Sequence, residues 1–522
     1  MLSTIHIPIW FVLFGLVIVF LIGLSIKRLF FSPIAHFPGP KIAAVTLWYE
    51  FYHDVVRRGQ YFRVIEKMHK RYGPIVRINP FELHVQDPDF YLVLYTGPTR
   101  RRHKWPWAAR MFGNNTSAFS TVAHDHHRIR RAALNPLFSR TAIQRMTPRI
   151  QDRLRQLCDR LDAICISGQI VDLGLAFTVF AADVISEYCF GRSLDLVHSP
   201  DFAADWVEMV AAPSELGHLI KQCPWIVPLL RYVPRPIVRV LAPGVALLYQ
   251  VQETMSKQIQ PLAERRLIDK ATRPLTVFDT LLAGDLPPAE KTVQRLKGEG
   301  QTLIGAGTLT TGNALKTIVF HVQSNPVILR KLQAELDASL SGVSAFDMAD
   351  PTHLERLPYL TACIWEGLRL AYGVTHRLQL IAEEPLKCAG MDIPTGTPVG
   401  MTSIFMHDNP VVFPEPRKFH PERWLELDPE ARGKIMGRHF VPFSKGSRMC
   451  LGMHLAYAEL YLVLATVFQR YEIQLMGVTR DDIDMAHDFF DPAPKQDAKG
   501  LIVKLVRRNS PELVRVAISE KE

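Results

Sequence analysis

Cysteine is scarce, with seven in 522 residues, and no two of them form a CxxC pair. Cys158, Cys165, Cys189, Cys223, Cys363, Cys388 and Cys450 are scattered and odd in number, which excludes a disulfide scaffold and points to a reducing cytosol. Zinc-finger spacing, an RNA-binding signature and an Arg-rich tail are also missing. The net charge of +10 therefore points to an anionic membrane surface or an acidic protein partner, with no nucleic acid. Asp, Glu, Lys and Arg are all absent from Met1 to Ile26, and this run has the roughly 20-residue apolar length that a bilayer span requires. Lys27 and Arg28 follow it, whereas a cleavable signal peptide carries its positive charge before a shorter apolar core. The expectation is a single-pass anchor with the remaining chain in the cytosol.

Hydrophobic residues make up 48% of the chain, enough for a large core. HFPGP, His36 to Pro40, is a stiff hinge that keeps the span from running on as one helix. Gln60 to Tyr72 has helical spacing, and Ile75–Ile78 and Leu83–Val85 are two short strands around Asn79-Pro80. His124 to Ser139 is a basic helical stretch. Ile143, Met146, Ile150, Leu154, Leu157, Leu161 and Ile164 form a core-facing stripe closed by Gly168. The helical pattern from Asp172 to Leu282 breaks at Cys223–Pro236, where Trp225, Leu229 and Leu230 either roof a pocket or touch a membrane. Ala289 to Gln323 forms one long helix whose glycines and threonines, Gly305 to Thr311, are poor helix formers, as expected where a groove opens.

The stretch that carries chemistry is Phe443 to Gly452, FSKGSRMCLG. A cysteine just before an amphipathic helix meets the positive end of the helix dipole, which favours the thiolate. A thiolate is a haem-iron ligand that favours O–O cleavage. Phe443 shields the sulfur in this reading, Gly446 permits a tight turn bringing N–H groups toward it, Arg448 offers a fork for a haem propionate, and Gly452 lets the helix approach the porphyrin.

This stretch resembles the FxxGxRxCxG haem loop of the cytochrome P450 family, the haem-thiolate monooxygenases. Further segments resemble the family in order. HFPGP resembles the hinge after the anchor of microsomal members. Ala306, Gly307, Thr310 and Thr311 match the central-helix motif, although Leu309 stands at its acidic position. The resemblance places Ala306 beside the cofactor and implies that Thr310 holds the water through which protons arrive. Glu366 and Arg369, with Arg423 of FHPERW, resemble the buried ExxR and PER lock. His127 and Arg131 resemble a WxxxR propionate pair with His in place of Trp, and Arg128 and Arg130 are candidates for docking an acidic electron donor. Arg377 lies next to the place where the family presents an arginine to the second propionate. Trp105, Phe112, Leu303, Phe489 and Phe490 are the implied substrate pocket.

The implied protein is mainly α with a small β region. Residues 1–35 form the membrane anchor and linker, and residues 36–522 form the catalytic domain. The resemblance implies haem b and insertion of one oxygen atom from O2 into an apolar small molecule. Electrons would come from NADPH through a separate NADPH cytochrome P450 reductase, with cytochrome b5 as a second donor, at the endoplasmic reticulum membrane. The wording of HFPGPKIAAVT and PERWLE resembles fungal members of secondary metabolism, and an apolar pocket suits a terpenoid, though a polyketide or fatty acid satisfies the same residues. Alternatives are a haem-thiolate isomerase or dehydratase that uses no O2 and a non-catalytic haem-binding membrane protein.

Overall fold

The computed structural model describes residues 9–265, 276–340 and 352–508. The start of the expected anchor, residues 1–8, and the end of the expected catalytic domain, residues 509–522, lie outside them. Among the described residues, two helices are long and apolar enough to cross a bilayer. Leu173–Phe190 is buried on nearly every side and is a core helix. Ile9–Phe30 has no buried residue and ends at Lys27 and Arg28, so its apolar surface has no protein to cover it. The hinge then meets the body closely. A Cβ on Gly39 would lie 2.3 Å from the carbonyl oxygen of Arg77, so only glycine fits there.

Val293–Gln323 is the axis of the molecule, about 46 Å long at 1.5 Å per residue. It starts later than the sequence suggests, because Pro288–Lys291 is a short 3-10 turn and the Thr292 side chain caps the helix through the Arg295 N–H. Leu173–Phe190, Pro243–Arg265, Pro358–Leu370 and Met453–Arg470 pack around it. Its glycines serve that packing more than they open a groove. A Cβ on Gly307 would meet Ile185 at 2.9 Å, and one on Gly312 would meet Thr178 Oγ1 at 2.3 Å. Gly305 alone faces open space.

The stripe from Ile143 to Ile164 is buried along helix Arg140–Ser167, which Gly168 ends at φ +66°. A five-stranded sheet stands beside the helices in the order Ile75–Arg77, Leu83–Val85, Pro398–Gly400, Leu380–Ala382, Arg102–Lys104. Ile75 pairs with Val85, and Leu83 runs parallel to Val399. The strand Arg102–Lys104 and the hairpin His487–Phe489 to Asp491–Ala493 bring distant parts of the chain to one cavity under the long helix. Trp225 and Leu229 do not roof that cavity; they are 59% and 55% exposed on the surface.

Candidate active site

The cavity measures about 650 Å3 and extends between the central helix, the cysteine loop, the strand Arg102–Lys104 and the C-terminal hairpin. Cys450 presents its sulfur there, two residues before the Gly452 N-cap of helix Met453–Arg470. Its own N–H donates to the Phe443 carbonyl at 2.8 Å. Burial pushes the thiol up, and the Gly452 N–H and Arg131 only partly oppose this. Burial and the helix end thus act in opposite directions on the sulfur, and a cation bound to it would favour the thiolate.

Gly446 holds φ +75°, and a Cβ there would strike the Thr96 carbonyl at 2.3 Å, so this glycine lets the loop close against residues 95 and 96. The Ser447 N–H donates to that same carbonyl at 3.0 Å. Phe443 packs on Tyr457 at 5.2 Å beside the loop. A Cβ on Gly452 would meet no protein atom, and both Gly452 and Ala306 of the central helix line the cavity.

Basic groups gather at one end. Arg448 spends its two terminal nitrogens on the carbonyls of Thr121 and Val122, at 2.9 and 3.0 Å, and its Nε is buried without a partner. Burial brings that guanidinium down to about 10. Arg131 donates to the Met449 carbonyl at 2.8 Å and to Asn135 at 2.6 Å, bracing the residue before Cys450. Burial, helped by Arg448, Lys104 and Arg131, drives His127 to about 2, so its ring is neutral, and Nδ1 has no partner. The strand adds Lys104, which sequence reasoning missed. Burial lowers its ammonium well below the ordinary lysine value, and it lies 3.1 Å from the Phe119 ring centroid. No carboxylate among the described residues pairs with Lys104, Arg131 or Arg448, so the cluster is built for an anion that the chain does not supply. The two propionates of a haem fit that need, with the sulfur, the bare Gly452 and the small Ala306 lining the same cavity.

The other expected residues divide. Arg377 faces away from this cluster. It pairs with Glu50 at 2.5 Å and Glu82 at 3.0 Å inside a buried network that also holds Lys221 and Asn79. Arg130 is not a docking residue, because it is buried against Glu290 at 2.7 Å, while Arg128 is exposed. Phe112, Leu303, Phe489 and Phe490 line the cavity, but Trp105 does not. Its indole packs on Trp107 at 4.5 Å and near Phe81, outside the cavity wall. Thr310 lines the cavity and donates to the Ala306 carbonyl at 2.7 Å, which leaves its lone pairs free to accept. Leu309 packs partly into the core. An acid does lie on the far side of the same helix. Glu459 of helix Met453–Arg470 sits against Thr311, with Oε2 buried and unpartnered, and burial pushes its acid well up despite that hydroxyl.

Glu366 and Arg369 are completely buried, joined at 2.8 and 3.0 Å, and Arg423 reaches Glu366 at 2.9 Å. Arg369 also donates to the His407 carbonyl at 3.0 Å, and His407 Nε2 accepts the Val441 N–H at 2.9 Å, two residues before Phe443. The lock is therefore wired to the cysteine loop.

A thiol-bearing loop and an anion-seeking basic cluster around one cavity, beneath a long helix, define a haem-thiolate protein. The cytochrome P450 family model matches residues 38–499, and the chain belongs to that family. Like its relatives it is a monooxygenase that carries haem, draws electrons from NADPH through a reductase and inserts oxygen into a small molecule of secondary metabolism. It is 66% identical over 502 residues to an N-acetyltryptophan 6-hydroxylase of Emericella nidulans, spanning 96% of this chain and 98% of that protein. It is 62% identical over 487 residues to a tryptophan 6-hydroxylase of Fusarium equiseti, with 93% and 95% covered. A conidiogenone synthase of Penicillium rubens is 40% identical over 502 residues, with 96% and 99% covered.

Proposed function

We propose that this monooxygenase hydroxylates the indole ring of tryptophan or an N-acylated tryptophan, at the 6-position that both high-identity relatives oxidise. The observation that carries the reading is the aromatic box over the cavity. Phe490 stands edge-on to Phe112 at 4.8 Å and to Phe119 at 5.6 Å, and those two meet at 5.8 Å. Edge-to-face contacts of this kind hold a planar ring in one orientation, which a hydroxylation at a single ring carbon demands. A terpenoid suits the apolar wall but leaves the polar lining at Ser214, His376 and Asp491 facing hydrocarbon.

Haem, when bound, supplies the oxygen activation. Cys450 would ligate the iron, Lys104, His127, Arg131 and Arg448 would hold the propionates, and Phe443 would shield the sulfur. Thr310 holds water beside Ala306. With Leu309 where an acid is expected, the buried Glu459 beside Thr311 on a different helix is the proton donor of this reading. The Glu366, Arg369 and Arg423 lock fixes the loop. The anchor is single-pass in the endoplasmic reticulum, with residues 36–522 in the cytosol. A second apolar area supports this arrangement. Trp225, Leu229, Tyr232, Val240 and Leu241 are exposed on the loop and short helices after residue 222, suited to the membrane surface. An acidic reductase, or cytochrome b5, docks on exposed basic residues such as Arg128 and Lys434.

The test is co-expression of the full chain with a reductase in yeast. Microsomes are then given NADPH, labelled O2 and either tryptophan, N-acetyltryptophan or a diterpene hydrocarbon, with products read by mass spectrometry. One labelled oxygen in the benzo ring of a tryptophan is expected. Oxidation of the diterpene with neither tryptophan touched refutes the proposal.

A further inference from the structure

The polar end of the cavity centres on one carboxyl. Asp491 follows Phe490 in the C-terminal hairpin and lines the cavity. The Ser214 hydroxyl donates to its Oδ2 at 3.2 Å, and no lysine, arginine or histidine among the described residues forms an ion pair with it.

Its mounting is rigid. The Thr375 N–H donates to the Phe490 carbonyl at 2.9 Å, while the Thr375 hydroxyl and the Phe490 N–H both reach Asp488 Oδ1 at 3.0 Å. His218 Nε2 meets the Asp488 carbonyl at 2.5 Å, and a Cβ on Gly59 would lie 2.3 Å from the same oxygen. Phe490 is held at φ +77°, a conformation that bulky residues adopt only when their surroundings impose it. These bonds fix the hairpin backbone up to Phe490 and so place the half-buried Asp491 carboxyl in the cavity lining, with Ser214 on one oxygen and the other within reach of a ligand. Burial pushes the acid up, the Ser214 hydrogen bond pulls it back and Asp488 pushes again, leaving it at about 7. An N–H donor entering the cavity tips it to carboxylate.

We infer that Asp491, oriented by Ser214, accepts a hydrogen bond from an N–H of the substrate and so selects nitrogen-bearing aromatic substrates over hydrocarbons. The inference rests on the tryptophan reading and assigns the residue that enforces it. The donor is the indole N–H or the nitrogen on the α-carbon, and the same experiment separates them.

The haem-loaded full chain in nanodiscs is titrated calorimetrically with tryptophan, N-acetyltryptophan, 1-methyltryptophan and indole-3-propionate, for the parent and for Asp491→Asn, Asp491→Leu and Ser214→Ala. The parent should bind one of the two ligands that each lack one of the candidate N–H donors, 1-methyltryptophan or indole-3-propionate, roughly ten- to a hundredfold more weakly than tryptophan, the range for a hydrogen bond to a charged group. That ligand names the donor: 1-methyltryptophan the indole nitrogen, indole-3-propionate the α-nitrogen. The gap should shrink in Asp491→Asn, which keeps a neutral acceptor, and close in Asp491→Leu, while the reduced carbon monoxide spectrum stays of thiolate type. Ser214→Ala, which leaves the carboxyl in place, should narrow the gap and serves if an Asp491 variant does not fold. A full gap in the folded variants overturns the assignment and leaves the tryptophan reading standing. A parent that binds none of the four ligands but takes up a diterpene overturns both.

Discussion

Replacing Glu366 with Gln keeps the shape of the buried lock and removes its charge. Oε1 accepts hydrogen bonds from Arg369 Nη2 at 2.8 Å, Arg423 Nε at 2.9 Å and the His420 N–H at 3.0 Å. Oε2 accepts from Arg369 Nε and from Trp424 Nε1, both at 3.0 Å. A glutamine can turn its NH2 toward the Oε2 side and still point a donor at two donors. Each buried donor left unsatisfied costs about 1–3 kcal/mol, so the geometry alone gives about 2–6 kcal/mol. Breaking a buried pair by removing one charge costs about 3–5 kcal/mol, and the two routes agree. Set against a typical stability of about 5–15 kcal/mol, such a loss is severe. Because Arg369 is wired through His407 to Val441, the damage should reach the cysteine loop, lowering haem content as well as stability. Denaturant unfolding and the ratio of haem to protein measure both. Arg423→Lys, whose neighbours are partly exposed, should lose less. If Glu366→Gln unfolded within about 1 kcal/mol of the parent and kept its haem, the reasoning about the lock would be wrong.

Lys104→Met separates two states of one protein. It should stabilise the cofactor-free chain, because a desolvated lysine with no carboxylate partner disappears, and weaken haem retention, because a propionate partner disappears; thermal melts of both forms check the two signs. Thr310→Val and Glu459→Gln should each leave substrate binding near parent level and uncouple NADPH consumption from product, releasing peroxide instead. Unchanged coupling in both would remove proton delivery from these residues. Glu290 supplies a pH test. Burial opposes its ionisation, but hydrogen bonds from Arg130, His126 and Arg295 outweigh that and hold it at about 2. A carboxyl depressed in the folded state stabilises above its unfolded value and loses that contribution as pH falls toward the folded one. Melting temperature should therefore drop between about pH 4.5 and 2, more steeply in the parent than in Glu290→Gln.

The residues determined the class wherever function depends on neighbours in the chain. FSKGSRMCLG carries the thiol, the positive-φ glycine and the arginine within ten residues, and the uncharged run before Lys27 has the length of a span; both remain legible without a fold. Helix periodicity fixed which faces of Arg140–Ser167 go inside, because burial follows the 3.6-residue turn. Folding alone decided which side chains share the cavity. Trp105 and Lys104 are adjacent in sequence, yet only Lys104 faces the cavity. Asp491 stood in plain view in HDFFDPAP beside the aromatics, but its meaning depends on Ser214, which is 277 residues away. Arg377 and Arg130 look like free cations until Glu50, Glu82 and Glu290 arrive from other elements to neutralise them. Short-range motifs encode the cofactor's grip, while charge compensation and substrate choice are long-range sums over the folded chain, which a linear pattern cannot carry.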